Sequence, residues 1–236
     1  MLYLCISKDI TVPTLSEENY LKAIWKLVES TGDAVSTNAI AAEVNTKAAS
    51  VTDMLRKLSD KKLIHYKKYQ GVTLTEKGRK LALNTVRKHR LWKVFLVEKL
   101  DFRWDEVHEI AEQLEHINSS SLTERLDKFL GYPKTDPHGD PIPDSEGNIE
   151  VTAHVLLNTV EAGKTVIMTG VSEHSTSFLR YLDEAGMGLG TTITVESYVE
   201  FDRSVNILIN NKKKLHISEN VAANLLVRKN NKRNGK

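Results

Sequence analysis

Apolar positions recur at helical spacing in several separate stretches of this chain, and each stretch is closed by a turn signal. Tyr20, Leu21, Ile24, Trp25, Leu27 and Val28 predict a first helix, with Ser16 as its N-cap and Thr31-Gly32-Asp33 as its stop. Ser36 caps a short second helix through Ala39–Val44, and Asn45-Thr46-Lys47 makes a tight break. A third helix is expected from about Ala48 to Lys61, with Val51, Leu55 and Leu58 facing inward. The period then switches. Leu63–Lys67 and Val72–Thr75 read as two strands around the turn Tyr69-Gln70-Gly71. Thr75-Glu76-Lys77-Gly78 opens a long fourth helix, about Arg79 to Leu100. A fifth helix is expected over Asp105–Asn118, and a sixth from near Ser121 to Gly131.

Residues 132–150 hold four of the five prolines and are expected to form a linker or a long ordered loop, in which His138 and Asp140 are solvated. Beyond them the chain turns β-rich. Strands are expected at Thr165–Thr169, Thr191–Tyr198 and Val205–Ile209, with a helix at Ser177–Ala185 and a closing element at Val221–Val227. The tail RKNNKRNGK is expected to be disordered.

Two helices joined by a turn of about three residues, preceded by a support helix and followed by a hairpin, make the winged helix-turn-helix pattern. The expected fold is multidomain and mainly α. Residues 1–82 form a winged-helix DNA-binding domain. Residues 83–150 form a helical metal-binding and dimerisation domain with a Pro-rich linker. Residues 151–236 form a small SH3-like β-barrel with a basic tail.

The charge distribution supports two jobs. Residues 45–80 carry ten Lys/Arg against three Asp/Glu, net +7, while residues 101–150 carry four against thirteen, net −9. A basic first third suits a polyanion and an acidic middle suits cations. Lys67 and Lys68 sit near the wing tip, where a phosphate backbone would pass. On the third helix Thr46, Lys47, Ser50, Thr52 and Asp53 are candidates for the groove, and Arg56 and Lys57 for phosphates. Cys5 is the single cysteine, so one chain can build neither a disulfide framework nor a cysteine zinc site, which favours a reducing cytoplasm. No apolar run approaches a transmembrane length, and the opening MLYLCIS is too short for a signal peptide.

The candidate chemistry lies on the fifth helix, VHEIAEQLEHI. Val107, Ile110, Ala111, Leu114 and Ile117 make its apolar face. His108, Glu112, Glu115 and His116 fall within roughly a third of a turn of one another at ~100° per residue. Two carboxylates and two imidazoles beside a buried seam suit a borderline divalent metal. The competing reading of this helix alone is a solvated acidic face with two incidental histidines.

With ENYLKAIWKL, the winged helix, VRKHRL, VHEIAEQLEH and HGDPIP in view, the chain resembles the diphtheria toxin repressor / manganese transport regulator family over about residues 15–230. The resemblance implies a metal-activated transcriptional repressor acting as a homodimer, in the long form with a third, FeoA-like module. It implies a primary metal site of Asn19 with Glu112, Glu115 and His116. Iron-type members use Cys where this chain has Glu112 and Met where it has Asn19, whereas manganese-type members use a carboxylate at both. Glu112 therefore leans towards Mn²⁺, with Fe²⁺ as the alternative, and Asn19 departs from both patterns. His89 and His108 match ligands of a second site, and Glu173 or His174 would supply an ancillary ligand. Lys22 and Lys93 stand where the two patterns place a Glu, so that site is either rebuilt or missing.

The function expected is metal-dependent repression of metal-homeostasis genes by a cytoplasmic homodimer on double-stranded operator DNA, without enzymatic activity, a membrane or a small organic substrate. The rivals are a metal-independent winged-helix regulator and a helical metalloenzyme. The second lacks a paired Glu-x-x-His motif on another helix and leaves the winged helix unexplained.

Overall fold

A computed structural model of the chain describes residues 13–67, 70–150 and 153–230. They divide into two compact units, one holding residues up to Val86 with Ser145–Gly147, the other Arg87–Asp144 with the chain from Asn148 onward. Cys5, Lys68, Tyr69 and the last six residues of the tail lie outside the described residues, and with them the expectations placed there.

The first unit contains helices α1 (Leu15–Thr31), α2 (Thr37–Glu43) and α3 (Ala48–Asp60), the strands β1 (Ile64–Lys67) and β2 (Gly71–Leu74), and the start of α4 (Glu76–Leu100). The N-cap of α1 is Thr14 and not Ser16. Thr14 Oγ1 accepts from Glu17 N (3.3 Å) and Glu17 Oε2 accepts from Thr14 N (3.0 Å), a reciprocal capping box that a serine two residues later cannot make. The other oxygen of Glu17 takes Lys61 Nζ at 2.6 Å, which ties the start of α1 to the end of α3. Ser36 caps α2 through Ala39 N, and Asn45 takes the left-handed conformation (φ 49°) that turns α2 into α3.

Leu21, Ile24, Ile40, Val51, Leu55, Leu58 and Leu83 are fully buried, so the inward stripes of these helices supply the core of this unit. The hairpin pairs Ile64 with Leu74 and Lys67 with Gly71, and Val35 adds an isolated bridge to Val72 with two backbone hydrogen bonds of 3.0 and 2.9 Å. Gly78, in the first turn of α4, lets the helix pass Leu63, since a Cβ there would stand 1.9 Å from the Leu63 carbonyl oxygen.

In the second unit α4 packs Leu91 and Val94 with Leu126 of α6 (Ser120–Phe129) and with Ile142, and Leu96 with Val107 and Ala111 of α5 (Val107–Leu114). Arg87, almost fully buried, clamps α4 to α6 through Glu124 (3.1 Å) and Asp127 (2.7 Å). Helix α5 is shorter than the apolar period suggests. It ends at Leu114; Glu115, whose N–H still donates to the Ala111 carbonyl (2.9 Å), and His116 lie on the closing turn.

The third module belongs to this same unit. Its strands β3 (Val155–Leu156), β4 (Thr165–Val171), β5 (Thr192–Tyr198), β6 (Val205–Ile209), β7 (Lys213–Ile217) and β8 (Leu225–Lys229) form one antiparallel sheet in the order β3-β8-β4-β5-β6-β7. Helix α7 (Thr176–Ala185) lays Leu179 and Leu182 into the core that the sheet builds from Val166, Met168, Ile193, Ile207 and Val227. The closing element is not one piece. Ser218 caps a single-turn helix, α8 (Glu219–Ala222), and β8 follows it. Arg228 and Lys229, read from the sequence as the start of a disordered tail, are strand residues paired with Ile167 and Val166. The alternation of β7, KKLHI, is hidden in the sequence by its lysines.

Candidate metal centre and nucleic-acid interface

Helix α4 presents His89 to α5, where the two backbones pack around Leu96, Val107 and Ala111. His89 Nδ1 lies 2.6 Å from Glu115 Oε2. The other oxygen of Glu115 lies 3.8 Å from His116 Nε2. His108 stands edge-on to His89 with ring centroids 5.2 Å apart, and its Nε2 is 3.5 Å from Glu112 Oε1. Five of the sequence candidates, His89, His108, Glu112, Glu115 and His116, are thus neighbours along one seam between two helices. Among the described residues, no three carboxylate or imidazole groups converge on a single point.

The electrostatics of the seam are uneven. Glu112 and His108 are about half exposed, whereas Glu115 is fully buried. A carboxylate taken out of water requires compensation. The imidazole of His89 lies against it at 2.6 Å, but offers a full positive charge only when protonated. Glu115 also caps the carboxyl end of α5, where the helix dipole adds negative potential. The donor set, two carboxylates and three imidazoles, suits a hard to borderline divalent cation, so the residues present fit the metal that the sequence implied. Asn19 lies exposed on α1 in the first unit, next to the buried Glu17 and Glu18.

The remaining metal candidates are employed differently. Glu173 is exposed and accepts a 2.7 Å hydrogen bond from Ser175 N at the head of α7; that backbone bond holds its carboxyl below the usual range. His174 is half-buried, with its ring stacked on His138 (centroids 4.9 Å apart) and its Nε2 3.8 Å from Asp140. His138 is not solvated, contrary to the sequence expectation. It is 1% exposed and Asp140 is half-buried. The Pro-rich loop is ordered around Asp136, whose Oδ1 accepts from the backbone N–H of His138 (2.8 Å) and of Asp140 (3.1 Å). The other oxygen of Asp136 meets Lys93 Nζ at 3.0 Å, and that ammonium is also 3.1 Å from His138 Nδ1.

Burial opposes charge on Asp136, yet Lys93, with His138 and Arg90, holds its carboxyl below the ordinary range. Burial and then the Lys93 charge push His138 down to about 4, so its ring is neutral at pH 7. The tautomer follows: Nδ1 accepts from Lys93, and Nε2–H donates to the Trp104 carbonyl at 2.8 Å. Sequence reasoning misses this cluster. Its one signal is a lone lysine in the apolar run LWKVFLV.

On the nucleic-acid side, Thr46, Lys47 and Ser50 are exposed at the amino end of α3, and Lys47 makes no side-chain cap bond. Thr52 is half-buried and spends its hydroxyl on the Ala48 carbonyl (3.0 Å). Asp53 pairs with Arg56 at 3.3 Å, both largely exposed, which offsets the charge an acid would otherwise oppose to DNA. Lys67 is exposed at the end of β1.

Known proteins share these domains. Residues 14–72 match the iron dependent repressor N-terminal DNA binding domain, residues 75–144 the iron dependent repressor metal binding and dimerisation domain, and residues 155–229 the FeoA domain. The iron-dependent repressor IdeR of Mycobacterium bovis is 31% identical over 192 residues, covering 76% of this chain and 83% of that protein. The HTH-type transcriptional regulator MntR of Oceanobacillus iheyensis is 34% identical over 125 residues, 53% of this chain and 84% of its own. A solved manganese-dependent transcriptional repressor in complex with manganese superposes with a TM-score of 0.82 at 35% identity, over 90% of this chain and 99% of that one. A DNA-binding domain, a metal binding and dimerisation domain and a FeoA domain matched in this order, with 31% identity to IdeR over 76% of the chain, leave one conclusion: the chain belongs to the iron-dependent repressor family, whose members are metal-dependent transcriptional repressors and not enzymes.

Proposed function

We propose that this chain binds operator DNA as a homodimer when loaded with Mn²⁺, with Fe²⁺ as the competing ion, and represses genes of metal homeostasis in the cytoplasm. The observation that carries the reading is the fully buried Glu115 against His89, with His116, His108 and Glu112 along the same seam. A bound dication supplies the positive charge that this seam leaves to a titratable imidazole. Oxygen donors at Glu112 and Glu115, without a thiolate, favour manganese over softer ions. Asn19 adds an oxygen donor from the DNA-reading unit and couples metal occupancy to the recognition helices. Leu100, Leu122, Phe129 and Tyr132 are large apolar side chains left exposed on the helical part of the second unit, which favours a second copy of the chain as their cover. Among the described residues no helix is long and apolar enough to cross a membrane.

The test is DNA selected from a random library in Mn²⁺, then titrated anaerobically with Mn²⁺, Fe²⁺ and Zn²⁺. Affinity should rise at least tenfold with Mn²⁺ and fall in EDTA, and Glu115→Ala should abolish the response while preserving the fold by circular dichroism. Equal affinity in EDTA, or an unchanged response in Glu115→Ala, overturns the reading.

A further inference from the structure

One helical turn beyond His89, on the same face of α4, stands Lys93, and its side chain is 3% exposed. A buried ammonium must be matched by a carboxylate and by acceptors. Here Asp136 and His138 supply both, at 3.0 and 3.1 Å. These two partners are not on a helix. They sit on the loop between α6 and the third module, and the loop is bound to that module directly. The His138 carbonyl accepts from Val171 N at 3.0 Å. The His138 ring stacks between Trp104 and His174, with centroids 5.8 and 4.9 Å away. Gly139 (φ 90°) lies so close to β4 that a Cβ would stand 2.1 Å from the Thr169 carbonyl oxygen.

A second set of protein groups joins the same surfaces. Trp104 packs on the core of the module. Buried Asp105 takes Arg180 of α7 at 2.7 Å and Arg103 at 3.0 Å, and Arg103 reaches Asp183 at 3.1 Å. The central cation of this docking is covalently attached to the sensor helix.

We infer that Lys93 is a built-in cation that, with Asp136 and His138, clamps the third module to the sensor helices without metal, and that its ammonium, seated on Asp136 Oδ2 and His138 Nδ1, occupies the donor atoms a second divalent ion would need. The stoichiometric half rests on the metal-sensing reading above; the clamp does not. The repressor then answers to one ion per protomer, and the third module is a fixed part of the sensor rather than an element that metal recruits.

The test uses the full chain. Hydrogen exchange of β4 and α7 is followed in EDTA and in Mn²⁺, and Mn²⁺ binding is counted by calorimetry with elemental analysis. Protection in the two conditions should agree within twofold, one equivalent should bind, and Lys93→Gln should speed exchange at β4 at least tenfold in both conditions. Release of the module in EDTA by the native protein overturns the clamp, and so does unchanged protection in Lys93→Gln. A second equivalent binding within tenfold of the first overturns the exclusion. If no manganese binds at all, the metal-sensing reading and the exclusion fall, while EDTA-insensitive protection still upholds the clamp.

Discussion

Helix α4 carries two buried electrostatic problems one turn apart, and the chain treats them in opposite ways. At Lys93 a permanent cation meets a permanent anion, Asp136, whose other oxygen is held by loop N–H groups. At His89 the anion is Glu115, equally buried, but the neighbouring bases are imidazoles whose charge depends on a proton. The first cluster is closed by groups of the chain, and its pairing does not call for an added cation. The second, on the function proposed above, takes an external cation. The proposed difference is that of a rigid joint and a responsive one side by side: compensation by a permanent charge would give structure, and compensation left to imidazoles would give a sensor.

The contrast can be broken most severely at the closed cluster. Lys93→Met leaves Asp136 buried without its cation, and stability should fall by about 3–5 kcal/mol in EDTA and in Mn²⁺ alike. Glu115→Gln should cost less than about 1 kcal/mol in EDTA but remove the manganese-induced gain, about 2.7 kcal/mol at a hundredfold excess over Kd. Denaturant unfolding of both variants in both conditions checks this; a metal-dependent cost at Lys93 would erase the distinction.

Acid should sharpen it next. His138 is held neutral in the folded chain, where Lys93, Asp136 and His174 face it, and its value drops from 6.5 to about 4. A folded state that resists protonation is fully stable above the unfolded value and loses stability as pH falls below it, levelling off near the folded value. Unfolding in EDTA should therefore show a loss of at most about 3 kcal/mol between pH 6.5 and 4, absent in His138→Gln. The smallest effect lies in the other unit. Lys67→Ala should weaken binding to all DNA sequences alike and lower the salt slope by about 1, read by anisotropy at several salt concentrations.

Much of the site is legible in the sequence. His108, Glu112, Glu115 and His116 announce themselves because helical spacing groups them on one helix beside its apolar stripe, whereas His89 is named only through the family resemblance and the structure brings it to them. The winged helix is legible for the same reason, with Val51, Leu55 and Leu58 buried where the period places them. Where local signals compete, the pattern misleads. Thr14 displaces Ser16 as the cap because it has a glutamate, Glu17, three residues on to close a capping box, where Ser16 has Asn19. Helix α5 ends before Glu115 although the apolar period runs on to Ile117. His138 and Asp136 give no sign, since a proline-rich run with acids reads as solvated, and nothing local says that a lysine 43 positions earlier will need a carboxylate.

The sequence by itself determined the helical and strand periods, the basic reader, the acidic sensor segment and the donor types that favour a divalent ion, because each depends on residues within a few positions of one another. Only tertiary structure decided which charges are buried and who compensates them. Burial and long-range pairing are set by how α4, the loop around Asp136 and the third module pack, and a residue's protonation and partners follow from that packing rather than from its neighbours along the chain.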